Sequence, residues 1–143
     1  MSPIRKPGHH RPVRTEQQHL GDAAEDLVAA RLTGLGWTVL ARNLRVGRGE
    51  LDIVAVDPGP PPALVVVEVR WRADRSHGLP EETLDWRKRR QLRRGGAALL
   101  DLSVLDGRAL PRLPLRFDLV VVEPPTSGSS VRQVRHHRYV VEG

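Results

Sequence analysis

The sequence contains no cysteine, and aromatic residues are scarce: three Trp, one Tyr and one Phe in 143 residues. The absence of cysteine excludes a disulfide framework and any thiolate metal site. With so few aromatics, the hydrophobic core must consist mainly of Val, Leu and Ala. Hydrophobic residues make up 39% of the chain and charged residues 28%, which is typical of a globular domain rather than a disordered chain.

Long apolar runs are also missing. No segment approaches the ~20 apolar residues that a membrane-spanning helix needs, and the N-terminus lacks the apolar core of a signal peptide. These features predict a cytoplasmic protein with no membrane partner.

Lysine is nearly absent, because Lys6 and Lys88 are the only two and arginine supplies the other positive charges. The formal net charge is +6 and the pI is about 11.1. Such a balance favours polyanionic partners, nucleic acid above all, although a coding bias toward arginine explains part of it equally well.

The apolar pattern predicts one α/β domain. Met1 to Thr15 is basic, proline-containing and free of acids, so we predict a flexible basic arm followed by a single domain at 16–143. Helical and strand periodicities then predict the following elements: a helix over 16–35, strands over 37–44, 50–56 and 63–72, a helix from Pro80 to about Leu102 that is weakened or kinked at Gly95-Gly96, and strands over 115–122 and near 131–141.

Acidic side chains mark the second and third strands. Because side chains alternate along a strand, Glu50 and Asp52 share one face of the second strand, and Glu68, Arg70 and Arg72 share one face of the third. The opposite face of the third strand is apolar, so we predict that it is the buried one. An exposed polar face with weak surface ion pairs is the alternative interpretation.

The loop between these strands, Asp57 to Ala63, is rich in proline and predicts a hairpin. If the hairpin is symmetric about Pro60, Asp52 lies opposite Glu68, with Cβ atoms roughly 4.5–5.5 Å apart. Two carboxylates at that distance repel each other unless a cation lies between them. Their hard oxygen atoms suit Mg²⁺ or Mn²⁺.

Several short motifs occur in a recognisable order. They are Gly21-Asp-Ala-Ala-Glu25, Ala29, Leu32, Gly36-Trp37, Arg42-Asn43, Gly49-Glu-Leu-Asp52-Ile53, Val67-Glu68-Val69, Lys88 and Arg116-Phe117-Asp118. In this order and spacing, from about Gly21 to Val122, the chain resembles the YraN family. That family is an uncharacterised group related to restriction-endonuclease-like folds and archaeal Holliday-junction resolvases.

The resemblance implies a restriction-endonuclease-like core of order αβββαβ, with a mixed central sheet flanked by helices. It also implies a metal-dependent DNA endonuclease that uses Mg²⁺ or Mn²⁺, acts on branched or damaged DNA and forms a homodimer. By the same resemblance, Asp52, Glu68 and the Val69 carbonyl look like metal ligands. Glu25 looks like an outer or direct ligand from the first helix, and Glu50 is a second candidate helper.

One position departs from the family pattern, which usually has lysine two residues after the glutamate. Here that residue is Arg70, which pairs well with phosphate but cannot act as a base because it stays protonated. Three interpretations remain open: Arg70 substitutes for the lysine, the site has lost catalysis and kept binding, or Lys88 supplies the cation.

Basic residues crowd the second predicted helix from Arg87 to Arg94. Arg90 and Arg94, with Arg87 nearby, are spaced to form one stripe against a phosphate backbone. We predict that this stripe, Lys88 and Arg72 bind nucleic acid; a solvated helix face is the alternative. Two further functions stay open, a catalytically silent nucleic-acid-binding protein and a protein-interaction or assembly factor.

Overall fold

A computed structural model of the protein describes residues 15–72, 84–125 and 127–141. The predicted arm lies outside these residues except for Thr15. The elements are α1 (Glu16–Gly34), β1 (Thr38–Val46), β2 (Gly49–Asp57), β3 (Ala63–Trp71), α2 (Trp86–Leu100), β4 (Val104–Leu105), β5 (Arg108–Ala109), β6 (Leu115–Glu123) and β7 (Gln133–His137).

Five strands form a central sheet in the order β1-β2-β3-β6-β7. All neighbours are antiparallel except β3 and β6, which are parallel and are connected through α2. The mixed sheet with helices on both faces confirms the predicted α/β fold and is consistent with a restriction-endonuclease-like core. The short β4–β5 hairpin was not predicted, because two-residue strands leave no periodicity to detect.

Helix α1 begins where its first turn is capped. The Thr15 side chain accepts the Gln18 backbone N–H, and the Gln18 side chain accepts the Thr15 backbone N–H. Thr15, the last residue of the predicted arm, is therefore the N-cap of α1. After the C-cap at Leu35, Gly36 takes a φ of +91°, a conformation that suits glycine and ends the helix as predicted.

Helix α2 begins at Trp86 rather than at the predicted Pro80. Asp85 is its N-cap and accepts the Lys88 backbone N–H at 2.8 Å, so the first turn is already satisfied. Pro80, Glu81 and Glu82, the predicted start, lie outside the described residues. The helix ends at Leu100, two residues earlier than the apolar pattern predicted.

The predicted weak point at Gly95-Gly96 is instead a contact point, and the helix runs through it without interruption. A Cβ on Gly96 would lie 2.5 Å from Cζ of Phe117, and one on Gly95 would lie 2.7 Å from Cδ2 of Leu51. Neither distance is tolerable for a real side chain. The two glycines therefore allow α2 to pack closely on the sheet.

Strand β3 is buried on both faces from Ala63 to Glu68, so the alternative interpretation of an exposed polar face does not apply there. Val65 and Val67 pack in the cluster that includes α1, and Leu64 and Val66 pack in the cluster that includes α2. Glu68 is itself only 7% exposed. Glu68 is covered because β3 is the central strand of the sheet and both its faces are packed.

A buried ion network closes the opposite end of β2 from Asp52. Arg116 donates to Asp118 at 2.9 and 2.8 Å through Nε and Nη2, and to Asp57 at 2.9 Å through Nη1. His136 Nε2 lies 2.8 Å from Asp118, which also accepts the Tyr139 backbone N–H. The Arg116-Phe117-Asp118 motif therefore has a structural role in joining β2, β6 and β7.

No helix among the described residues has the length and apolar character needed to span a membrane.

Candidate functional site

The hairpin register brings the two predicted carboxylates together. The β2–β3 ladder runs from Ile53↔Val67 to Asp57↔Ala63, which is the predicted symmetry about Pro60. The same register makes Asp52 and Glu68 the next pair beyond the last paired residues. At this point the Val69 backbone N–H donates to Oδ2 of Asp52 at 2.9 Å, so the carboxylate takes a hydrogen bond that a continuing strand would have used.

The alternation of side chains along β2 is interrupted at Asp52. Leu51 packs in the cluster that contains α2, whereas Ile53 packs in the cluster that contains α1, although strict alternation would place both on one face. The partner position on β1 is Asn43, whose φ of 50° lies in the left-handed region. Asp52 therefore lies at the turning point and interacts with acids from both sides of the sheet.

Burial and mutual repulsion oppose ionisation of both acids. Burial, together with the charge of Asp52, raises the pKa of Glu68 to about 7, against the opposing effect of Lys88 and Arg70. Burial also raises the pKa of Asp52, although the Val69 N–H and Lys88 partly offset the increase. A pair in which charge is this costly is stabilised by any cation held beside it.

This pKa shift predicts how stability varies with pH. Because the folded protein holds the Glu68 proton more tightly than the unfolded chain, that contribution is present below about pH 4.5 and is lost as the pH rises through about 7. Glu68→Gln mimics the protonated acid. The free energy of unfolding of the variant minus that of wild type should therefore be larger at pH 8 than at pH 5, by up to about 3 kcal/mol. Urea unfolding in EDTA at both pH values measures the difference, and an equal difference at both would contradict the predicted sign.

Lys88 reaches the site from α2. Its Nζ lies 3.1 Å from Oε1 of Glu68, and its charge lowers the pKa of both acids. Lys88, one of the two candidate replacements for the family lysine, therefore contacts a carboxylate directly. Arg70, half-buried two residues along β3 from Glu68, also lowers both pKa values through its charge.

Glu25 and Glu50 flank the pair on the α1 side. Burial, together with the charge of Asp52, raises the pKa of Glu25 to about 7. In the amide orientation that satisfies both neighbours, the Asn43 side chain donates to Glu25 at 2.9 Å and to Glu50 at 3.2 Å. Sequence reasoning gave Asn43 no role; its place in the Arg42-Asn43 motif was the only available signal.

The donor atoms fit a hard cation with few protein ligands. Within residues 15–72, 84–125 and 127–141, no group of three or more His, Asp or Glu side chains is arranged to hold a metal ion, so Glu25 does not complete a ligand cluster with the pair. Two carboxylates suffice for Mg²⁺, which keeps several waters and takes the remaining ligands from the substrate. The Val69 carbonyl as a further ligand stays a prediction.

A basic groove of about 620 Å³ lies between the β1–β2 turn and α2. Its lining includes Arg87, Arg90 and Arg94, which confirms that these three side chains share one face of the helix. Arg72, also predicted to bind nucleic acid, lies elsewhere: it follows the end of β3, where its backbone N–H donates to the Val122 carbonyl at 2.8 Å.

Comparison with known proteins decides the family. A sequence model of the "Uncharacterised protein family UPF0102" matches residues 24–122. The chain belongs to the UPF0102 (YraN) family. The match covers α1 through β6, apart from the first part of α1 and the last residue of β6, and so includes every element that carries the acidic site.

Individual UPF0102 proteins are similar over most of their length. The chain is 41% identical to a UPF0102 protein of Symbiobacterium thermophilum over 111 residues, which is 78% of this chain and 87% of that one. It is 36% identical to one of Sorangium cellulosum over 123 residues, 86% and 82% of the two chains. It is 34% identical to one of Desulforamulus reducens over 121 residues, 85% and 93% of the two chains. The resemblance inferred from the motifs is confirmed.

Proposed function

We propose that this UPF0102 protein is a divalent-metal-dependent endonuclease that hydrolyses phosphodiester bonds in DNA. The observation that carries the proposal is the pair of carboxylates, half-buried Asp52 and buried Glu68, at the point where the β2–β3 ladder ends. The contact of Lys88 with Glu68 adds a cation of the type that phosphoryl chemistry uses.

Asp52 and Glu68 would hold Mg²⁺ or Mn²⁺, with the Val69 carbonyl as a third protein ligand. When bound, such an ion polarises a phosphoryl oxygen and lowers the pKa of bound water. The protein prepares this position by fixing the Asp52 carboxylate with the Val69 N–H. It also keeps Glu68 nearly buried, where its negative charge is poorly screened by solvent.

Lys88 and Arg70 would stabilise negative charge that develops on the phosphate. Both lower the pKa of the two acids, so both place positive potential at the reacting position. Lysine can also exchange a proton, whereas arginine cannot. Glu25, with a pKa of about 7, is poised to accept or release a proton near neutral pH, which is where a general base is most effective.

The arginines of the basic groove would position the DNA backbone without reading its sequence. Binding should then weaken steeply as the salt concentration rises. A cytoplasmic location and a homodimer stay predictions.

One assay tests the proposal. Purified protein is incubated with linear, nicked and four-way-junction DNA, with Mg²⁺, with Mn²⁺ and with EDTA. Cleavage that requires the divalent ion is the expected result. Absence of cleavage with every substrate, from protein whose fold is intact by circular dichroism, would refute it.

A catalytically silent nucleic-acid-binding protein is the second candidate, favoured by Arg70 at the position where the family usually has lysine. It predicts salt-sensitive binding without cleavage in the same assay. Failure to bind DNA even at about 50 mM salt would exclude both candidates.

The two cations can be separated by mutation. Because Nζ of Lys88 lies 3.1 Å from Oε1 of Glu68 and lysine, unlike arginine, can exchange a proton, we expect Lys88→Ala to lower the cleavage rate about 100-fold and Arg70→Ala to lower it less. Arg89→Ala, which removes a neighbouring exposed charge, is the control for general weakening of DNA binding. Single-turnover rates at saturating protein distinguish the variants.

The reverse order, with Arg70→Ala more damaging than Lys88→Ala, would assign the family lysine's role to Arg70. Arg70→Lys should then raise the rate if the departure from the family pattern weakened the site.

A further inference from the structure

The basic groove carries an aromatic side chain that the proposed chemistry does not use. Trp86 lines it as the first residue of α2 and is 61% exposed. The other two tryptophans are covered: Trp37 is 5% exposed, and half-buried Trp71 lies under the Arg132 guanidinium, 4.6 Å from its ring centre. A large indole exposed to solvent is unusual in a chain with so few aromatics. This exposure indicates that Trp86 binds a ligand.

The charged residues around Trp86 favour binding of a polyanion. Arg87, Arg90 and Arg94 are three or four residues apart and so follow one face of the helix, and Arg48 lines the groove from the β1–β2 turn. None of the described lining residues is acidic. The Arg87 guanidinium lies 5.4 Å from the Trp86 ring centre, which places positive charge directly beside an aromatic surface.

A phosphate chain with accessible aromatic bases matches both features. Bases stack on exposed aromatic side chains in proteins that bind single strands, where arginines track the backbone. In a duplex the faces of the bases are already stacked on one another and are not available to an indole. The groove volume of about 620 Å³ lies within the ~300–1,000 Å³ of pockets that enclose small organic ligands, which is enough for an unpaired nucleotide.

The groove lies next to the acidic pair. Lys88, which contacts Glu68, directly follows Arg87 in α2. On the other wall, Gly49 precedes Asp52 by three residues, or about 10 Å along an extended strand. A strand held in the groove would therefore approach the carboxylates.

We propose that this groove binds an unpaired DNA strand, with a base stacked on Trp86 and phosphates against Arg87, Arg90 and Arg94. The inference rests on the proposed action on DNA and narrows its substrate class to DNA that contains an unpaired segment beside the cleavage position.

Tryptophan fluorescence tests the stacking directly, because Trp86 is the most exposed of the three indoles. Wild-type protein in EDTA is titrated with a thymidine oligonucleotide and with a blunt duplex of equal length. The single strand is expected to quench the fluorescence and the duplex is not. Trp86→Leu should abolish the quenching and weaken single-strand binding roughly 5- to 100-fold, while Trp86→Phe, which keeps an aromatic ring, should stay within a few-fold of wild type.

A matched pair of arginines tests the backbone contact. Arg90 lines the groove, whereas its neighbour Arg89 is exposed and does not. Arg90→Ala should weaken single-strand binding and reduce the slope of log affinity against log salt by about one. Arg89→Ala should change neither quantity beyond the general loss of one charge.

Equal quenching by duplex and single strand, or unchanged affinity in Trp86→Leu, would overturn the inference. These measurements need no metal ion, so they separate it from the proposed hydrolysis. Quenching by the single strand without any cleavage would support single-strand binding in the groove and refute the proposed hydrolysis. Cleavage without quenching would support the hydrolysis and refute single-strand binding in the groove.

Discussion

Replacing Asp52 with asparagine, or Glu68 with glutamine, is expected to reduce ion-dependent DNA cleavage by about 100-fold or more, because a metal ion contributes several kcal/mol of charge stabilisation. The amides keep the size of the side chains and remove only their charge. Binding of Mn²⁺, measured by isothermal titration calorimetry without DNA, should be lost in the same two variants. Glu25→Gln should reduce the rate less, because Glu25 does not complete a three-ligand cluster.

Asp26→Asn is the matched control. Asp26 directly follows Glu25 in α1, but its carboxylate is exposed and pairs with Arg42 at 2.7 Å. It should retain the wild-type rate and Mn²⁺ affinity. Cleavage that survives unchanged in both Asp52→Asn and Glu68→Gln would mean that this acidic pair is not the catalytic site.

Replacing Arg116 with methionine is expected to cost about 3–5 kcal/mol of stability, because it removes the guanidinium that pairs with two buried acids, Asp57 and Asp118. Urea unfolding at pH 7 measures the loss. Arg116→Lys, which keeps the charge but not the paired hydrogen bonds, should lose less stability. It can be measured instead if the methionine variant does not fold. Arg42→Met, which removes an exposed ion pair, should cost less than about 1 kcal/mol.

The same network determines how the stability of the protein changes at acidic pH. Burial opposes ionisation of Asp118, but hydrogen bonds from His136 and Arg116 outweigh it and hold the pKa below its usual value. The stabilisation is therefore present above about pH 3.8 and is lost as the pH falls through the lower folded-state pKa. In Arg116→Met the acids gain from protonation, so its stability should approach that of wild type as the pH falls toward 4. A gap that stays constant between pH 7 and 4 would contradict this account.

Local patterns in the sequence predicted most of the fold, including the β2–β3 hairpin. Period-2 alternation and the proline-rich loop gave β2, β3 and their register about Pro60, because a tight hairpin fixes pairing through its own loop. Helix α1 was predictable from its apolar spacing and its terminal glycines. The start of α2 was not, because proline followed by two acids resembles a first turn as closely as the Asp85 cap that is used.

Features that depend on packing were misread or missed. Gly95-Gly96 looks like a helix break until the distances to Phe117 and Leu51 show a close approach. The burial of Glu68 on the polar face of β3 also depended on packing, since Lys88 of α2 lies against it. Asn43 and Trp86 carried no distinctive spacing, so their positions beside the acids and in the basic groove emerged only from the fold.

The sequence by itself determined the order of the main elements, the family and the pairing of Asp52 with Glu68, since each follows from neighbours along the chain or within one hairpin. Only the tertiary structure decided that α2 delivers Lys88 to Glu68 and leaves Trp86 facing solvent in the basic groove. The reason is that α2 and the hairpin meet through the parallel β3–β6 crossover, and a contact between separate elements has no periodicity in the sequence.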